Sequence, residues 1–170
     1  MNSFFIKNII FSLAILFTQI MVLNQLNISQ SILPLIYPIL IFSLTRSLNK
    51  SLLLVLSFGL GLVMDVFSNT GGAHAIACTL LAFVRPFFLS SIGPMDMGSD
   101  QIKPSIISLG LKNYLAYSFL LLAIHHIAFF MLEVFSFSNF LDTALRIIGS
   151  LIVSWLLVIS FQFLFNGKQR

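Results

Sequence analysis

The residues able to carry proton, metal or ion-pair chemistry in this chain fall inside or at the edges of apolar runs: Asp65, His74, Cys78, Arg85, His125, His126 and Glu133. A charged side chain at the centre of a hydrocarbon layer costs about 2.5 to 3.5 kcal/mol on insertion scales, so each one needs a compensating partner. On a helix, Ser57, Gly61 and Asp65 are four apart and share one face, with Gly59 nearby, a surface that lets another helix approach closely. Asp65 falls near the end of its run, and the turn Ser68-Asn69-Thr70-Gly71-Gly72 follows at once. The simplest reading is that its carboxylate accepts hydrogen bonds from that turn. A partner or substrate contact comes second and proton chemistry last. His74 opens the next run at nearly the same depth, within reach of Asp65 for a hydrogen bond or ion pair. Arg85 lies about 16 Å further along that helix, too deep to meet Asp65. Pro86 leaves the carbonyl of Ala82 without its helical donor, which predicts a kink there, with Arg85 snorkelling or bonding freed backbone oxygens.

His126 and Glu133 are seven apart on one helix face, a spacing that invites a metal reading. Adjacent His125 and His126 diverge by about 100° on a helix, and the His-Glu-x-x-His pattern of zinc enzymes is absent, so no metal is expected. Glu133 fits the interface end of its helix. Arg146, Ser150 and Ser154 form another polar stripe suited to packing against a neighbouring helix. There is no Gly-x-Ser-x-Gly, no phosphate-binding Gly loop and no carboxylate pair on one intramembrane face, which argues against an enzyme and against a cofactor.

The elements that must hold these groups are set by composition. Of 170 residues, 58% are hydrophobic and only 8% charged, against roughly 25% charged in a soluble domain. Mean hydropathy is +1.04. The expected fold is therefore a single all-α integral membrane domain over residues 1–170, with six transmembrane helices at about 8–26, 32–45, 51–67, 74–92, 113–133 and 144–166. Pro34 and Pro38 make the second the weakest, and Pro38 predicts a bend or irregular winding. The first run lacks a small-x-small cleavage site and reads as a retained helix. Placing both termini in the cytoplasm puts Lys7, Arg46, Lys50, Lys103, Lys112, Lys168 and Arg170 inside, leaving two of the nine basic residues, Arg85 and Arg146, elsewhere. The longest loop, about Gly93 to Lys112, then becomes a cytoplasmic connector. The net charge of +4 is explained by this orientation, and nucleic acid is not an expected partner. Cys78, the single cysteine, sits in an apolar run and reads as a buried thiol.

The stretch from Phe58 through Gly59, Gly61, Asp65, Ser68, Asn69, Gly71, Gly72, His74 and Ala75, continuing to Ala82-Phe83-Val84-Arg85-Pro86, resembles the MreD family of bacterial rod shape-determining proteins. Asp65, Ser68, Gly72 and Ala82-Phe83 match that family's pattern in order, while Asn69 stands where it often has Gly. The resemblance implies a non-enzymatic subunit of the cell-elongation complex in the bacterial inner membrane. It further implies a bitopic MreC-like partner and association with a RodA-type glycan polymerase, its transpeptidase and MreB filaments. It also implies similarity in fold to the six-helix substrate-binding subunits of energy-coupling-factor transporters. That supplies the alternative, a vitamin-binding subunit with Asp65, His74 and Glu133 at the pocket mouth. Candidate structural or partner-contact residues are thus Gly59, Gly61, Asp65, Ser68, Gly72, His74, Arg85 and Pro86. Asp65→Asn is expected to fold, since the amide keeps its size and one acceptor, but to engage partners less well.

Overall fold

The structure, a computed structural model, describes residues 3–25, 32–92, 103–134 and 140–166. Its helices are α1 (Ser3–Met21), α2 (Ile39–Phe42), α3 (Lys50–Ser68), α4 (Ala73–Ile92), α5 (Ile106–Leu109), α6 (Leu111–Val134) and α7 (Phe140–Asn166), with a short 3₁₀ turn at Leu23–Gln25. Four of them, over Lys50–Ser68, Ala73–Ile92, Leu111–Val134 and Phe140–Leu164, are long and apolar enough to cross a membrane. The chain is therefore a helical membrane protein by length and composition. The apolar stretch Ile9–Gln25, which runs from α1 through the 3₁₀ turn, is shorter.

The helices pack in chain order, α3 against α4, α4 against α6 and α6 against α7. On α6 the buried positions Tyr114, Tyr117, Leu121, Leu122, His125, His126, Phe129 and Phe130 recur at three- and four-residue steps. On α4 His74, Cys78, Leu81, Arg85 and Leu89 do the same. These stripes are the helical period of one inward face. The opposite faces are just as apolar: Val66 is 78% exposed, Phe83 72% and Leu141 77%. In water such surfaces would aggregate, whereas in a bilayer they are the solvent-facing side.

Capping follows local chemistry. The side chain of Asn49 accepts from the N–H of Ser51 at the start of α3, and Asn69 closes that helix in the left-handed conformation at φ 54°. Asparagine is among the few side chains that tolerate this geometry, which glycine otherwise supplies at helix ends.

The second expected span is corrected. Residues 32–45 do not form a helix across the membrane: the backbone is irregular through 32–38, makes the four-residue α2, and turns again before α3. Yet Pro34, Leu35, Ile36, Tyr37, Pro38, Ile39, Ile41 and Phe42 are all buried. Non-helical backbone at membrane depth survives only where protein satisfies its polar groups. Here the surrounding helices do so with side chains. Leu33 N–H donates to Ser150 Oγ at 2.9 Å and Leu35 N–H to Ser154 Oγ at 2.8 Å. Gln19 accepts the Ile36 N–H at 2.8 Å and donates to the Pro34 carbonyl at 3.0 Å. Tyr117 Oη donates to the Phe42 carbonyl at 3.0 Å, and Arg85 donates to the carbonyls of Phe42, Leu44 and Thr45. Pro34 and Pro38 lower the demand further, because neither has an N–H to satisfy. The two prolines that break the helix also make its irregular replacement affordable.

Two other expectations change with this segment. The Ser150 and Ser154 stripe on α7 serves the irregular backbone as well as the neighbouring α6, where Ser154 also meets His126. Arg146 instead pairs with Glu133 at 3.3 Å and lies over the Phe130 ring. At α4, the helix runs unbroken through Pro86, and Arg85 bonds carbonyls of the irregular segment, not those of its own helix.

Candidate functional site

Asp65 is buried at the α3–α4 junction. Its Oδ1 accepts from Thr70 Oγ1 at 2.6 Å and from the His74 N–H at 2.9 Å, while Oδ2 accepts from the Ala75 N–H at 2.9 Å. Those two amides belong to the first turn of α4, whose leading N–H groups have no helical acceptor. The carboxylate thus caps α4 from the end of the preceding helix and meets the positive end of its macrodipole. The Asp65 backbone carbonyl is engaged too, accepting from the Asn69 and Thr70 N–H groups. Hydrogen bonding from the turn is therefore what the carboxylate does. Its link to His74 runs through the backbone amide, not the imidazole.

Gly61 completes the clasp. A Cβ built there would lie 2.4 Å from Ala75 Cα and 2.6 Å from Ala75 N and the His74 carbonyl oxygen, all backbone atoms. Gly59 is different, since its Cβ would meet nothing within 4 Å. Only one of the two glycines on α3 belongs to the contact. Gly72, at φ 102°, makes the turn that brings α4 back onto α3. Ser68 Oγ accepts from Asn24 Nδ2 at 3.1 Å, tying the end of α3 to the turn after α1.

The geometry revises the expectation for Asp65→Asn. Both carboxylate oxygens accept, so an amide would present its NH2 to a backbone or hydroxyl donor whichever way it turned. Asp65→Asn should lower stability by about 1–3 kcal/mol, the usual cost of a buried donor left without an acceptor. Thermal unfolding of the detergent-purified protein checks this, and an unchanged midpoint would show that the cap is not required.

Below the clasp lies a cluster that spacing alone did not reveal. Tyr37 Oη is 2.8 Å from both His74 Nδ1 and His125 Nε2, and Cys78 Sγ is 3.6 Å from the same oxygen. All four side chains are buried. A phenol has one proton, so with both imidazoles neutral Tyr37 donates to one histidine and accepts from the other. His74 also stacks on Phe129, ring centroids 4.2 Å apart, which fixes its plane. His126 is separate: Nδ1 meets the Leu122 carbonyl at 2.8 Å and Nε2 meets Ser154 Oγ at 3.0 Å. Among the described residues no group of three or more His, Cys, Asp or Glu side chains is arranged to hold a metal ion.

His74 lines a pocket of about 240 Å³ together with Asn24, Ser68, Thr70, Phe129 and Glu133. Pockets for small molecules run about 300–1,000 Å³, so this one is small. Its Glu133 is already paired with Arg146, each about one-third exposed, an ion pair of the kind that contributes little.

The expected site residues therefore divide into two groups. Gly61, Asp65, Gly72 and His74 meet at the α3–α4 clasp, whereas Ser68 bonds Asn24, Arg85 acts on the irregular segment, Pro86 lies within α4 and Gly59 is off the contact. Spacing alone does not single out Tyr37, Gln19 and Tyr117, whose one signal in the sequence is a polar group in an apolar run. No family model, curated protein or solved structure matches the chain.

Proposed function

We propose that this protein is a non-enzymatic scaffold subunit of the bacterial cell-elongation complex, acting in the inner membrane with both termini in the cytoplasm. On this reading it regulates cell shape and lateral peptidoglycan synthesis. It does so through an MreC-like bitopic protein and, with it, a RodA-type polymerase, its transpeptidase and MreB filaments. The observation that carries the reading is where the polar groups of the resembling stretch are spent. Asp65 caps α4, Gly61 sets the helix approach and Arg85 holds the irregular segment. Residues committed to rigidity suit a chain that holds other proteins in register, and the broad apolar outer faces leave area for helix contacts in lipid.

The vitamin-binding alternative is favoured by one feature, the polar pocket at His74. Its volume of about 240 Å³ is below that of ordinary ligand sites, so it ranks second. Depletion decides between the two. Rod-shaped cells should round up, and the tagged protein should bring an MreC-like protein with it from detergent. Unchanged rods after depletion, with no such partner, would overturn the scaffold reading, and a vitamin retained through purification would establish the alternative.

A further inference from the structure

A larger cavity, of about 860 Å³, opens between α3, α4 and α6 on the outer surface, away from the polar cluster. Leu54, Phe83, Phe87, Phe88 and Ile124 make its apolar wall, with Lys50 and Ser90 at one end. Phe83 is 72% exposed and Phe87 69%, so the aromatic side chains stand open to the bilayer. Lys50 is the first residue of α3, which at 19 residues is about 28 Å long, close to the thickness of the hydrocarbon core. The Lys50 end of the groove therefore lies at the level of lipid headgroups while the phenylalanines extend into the acyl region. Lys50 is exposed, and among the described residues no side chain bonds it. From Ser90 back to Phe83 the groove follows α4 inward for about 10 Å.

We infer that this groove is a site for an anionic phospholipid, with the headgroup phosphate at Lys50 and acyl chain packed on Phe83, Phe87 and Phe88. Charge complementarity selects the occupant. Lys50 serves orientation as any interfacial lysine does, but its place at the mouth of a groove between membrane helices also suits it to an acidic headgroup. The site is independent of the cell-elongation reading, because neither the clasp nor any partner enters it.

The test uses the full chain purified in detergent and titrated with phosphatidylglycerol or phosphatidylcholine, with retained lipid counted by native mass spectrometry. Phosphatidylglycerol should be retained preferentially. Lys50→Gln should cut that preference about fivefold, as expected for one basic residue near the surface, while Lys112→Gln, an exposed lysine at the start of α6, leaves it unchanged. Equal retention of the two lipids, or equal effects of the two substitutions, would overturn the proposal. A second measurement places photoreactive benzoylphenylalanine at position 87 and irradiates intact membranes. A phospholipid adduct supports the site, and a protein adduct in its place would assign the groove to a partner helix instead.

Discussion

Replacing Gly61 by alanine should cost this protein more than its single methyl group suggests, about 1–3 kcal/mol of stability and with it much of the folded protein recovered from detergent. Ordinarily glycine to alanine inside a helix gains about 1 kcal/mol. At Gly61 the added Cβ would lie 2.4–2.6 Å from three atoms of the α4 backbone, and no side chain there can swing aside. The helices must part, and overpacking of this kind costs about 1–3 kcal/mol or more. Parting them also stretches the Asp65 bonds to the His74 and Ala75 amides, so the two effects compound. Gly59→Ala is the internal control. With nothing within 4 Å of its Cβ, it should be neutral or slightly stabilising. Unfolding midpoints of the two variants side by side decide the matter, and equal midpoints would remove Gly61 from the clasp.

Arg85→Met is expected to be the other severe change. Methionine fills much of the same volume without a donor, leaving the Leu44 and Thr45 carbonyls unserved while Phe42 keeps its bond from Tyr117. Two effects compete. Removing a buried cation relieves several kcal/mol of desolvation, but that relief is realised only when the partners can be made apolar too. These partners are backbone oxygens and cannot be substituted. Both carbonyls are only part-buried, so each bare acceptor falls toward the low end of about 1–3 kcal/mol, and a net loss of about 1–3 kcal/mol follows. The damage should be local first. A cysteine placed at Thr45 should label faster with a soluble maleimide in the Arg85→Met background, because the segment loosens before the bundle unfolds. Arg85→Lys should recover part of the loss, since an ammonium offers donors but not the planar fork that reaches several carbonyls. Labelling rates identical to the parent's would show that the segment is held by other means.

How much could be read without coordinates depended on the range of the interaction. The Asp65 turn was legible because all its parts lie within Asp65 to Ala75: a carboxylate, a hydroxyl, two glycines and the opening of a helix. What the spacing did not resolve was which atom of His74 faces the carboxylate, because amide and imidazole are equally near in sequence. Arg85 was legible as a cation needing backbone oxygens, but its acceptors lie some forty residues away. The cluster of Tyr37, His74, Cys78 and His125 draws on three segments of the chain.

By itself, then, the sequence determined the solvent and the local clasp. With 58% hydrophobic and 8% charged residues only a bilayer can cover the surface, and charge and turn residues mark where α3, α4, α6 and α7 begin and end. Pro38 already marked residues 32–45 for irregular winding and Arg85 already called for backbone oxygens, but tertiary structure alone decided that the segment stays buried without a full helix, which carbonyls Arg85 serves, and the duties of Gln19, Tyr37, Tyr117, Ser150 and Ser154. The physical reason is that lipid and protein interior are both apolar, so hydropathy does not tell a lipid-facing side from a buried one. Whether a broken segment can remain at membrane depth depends on whether distant side chains reach its backbone, and that is a property of the packed bundle.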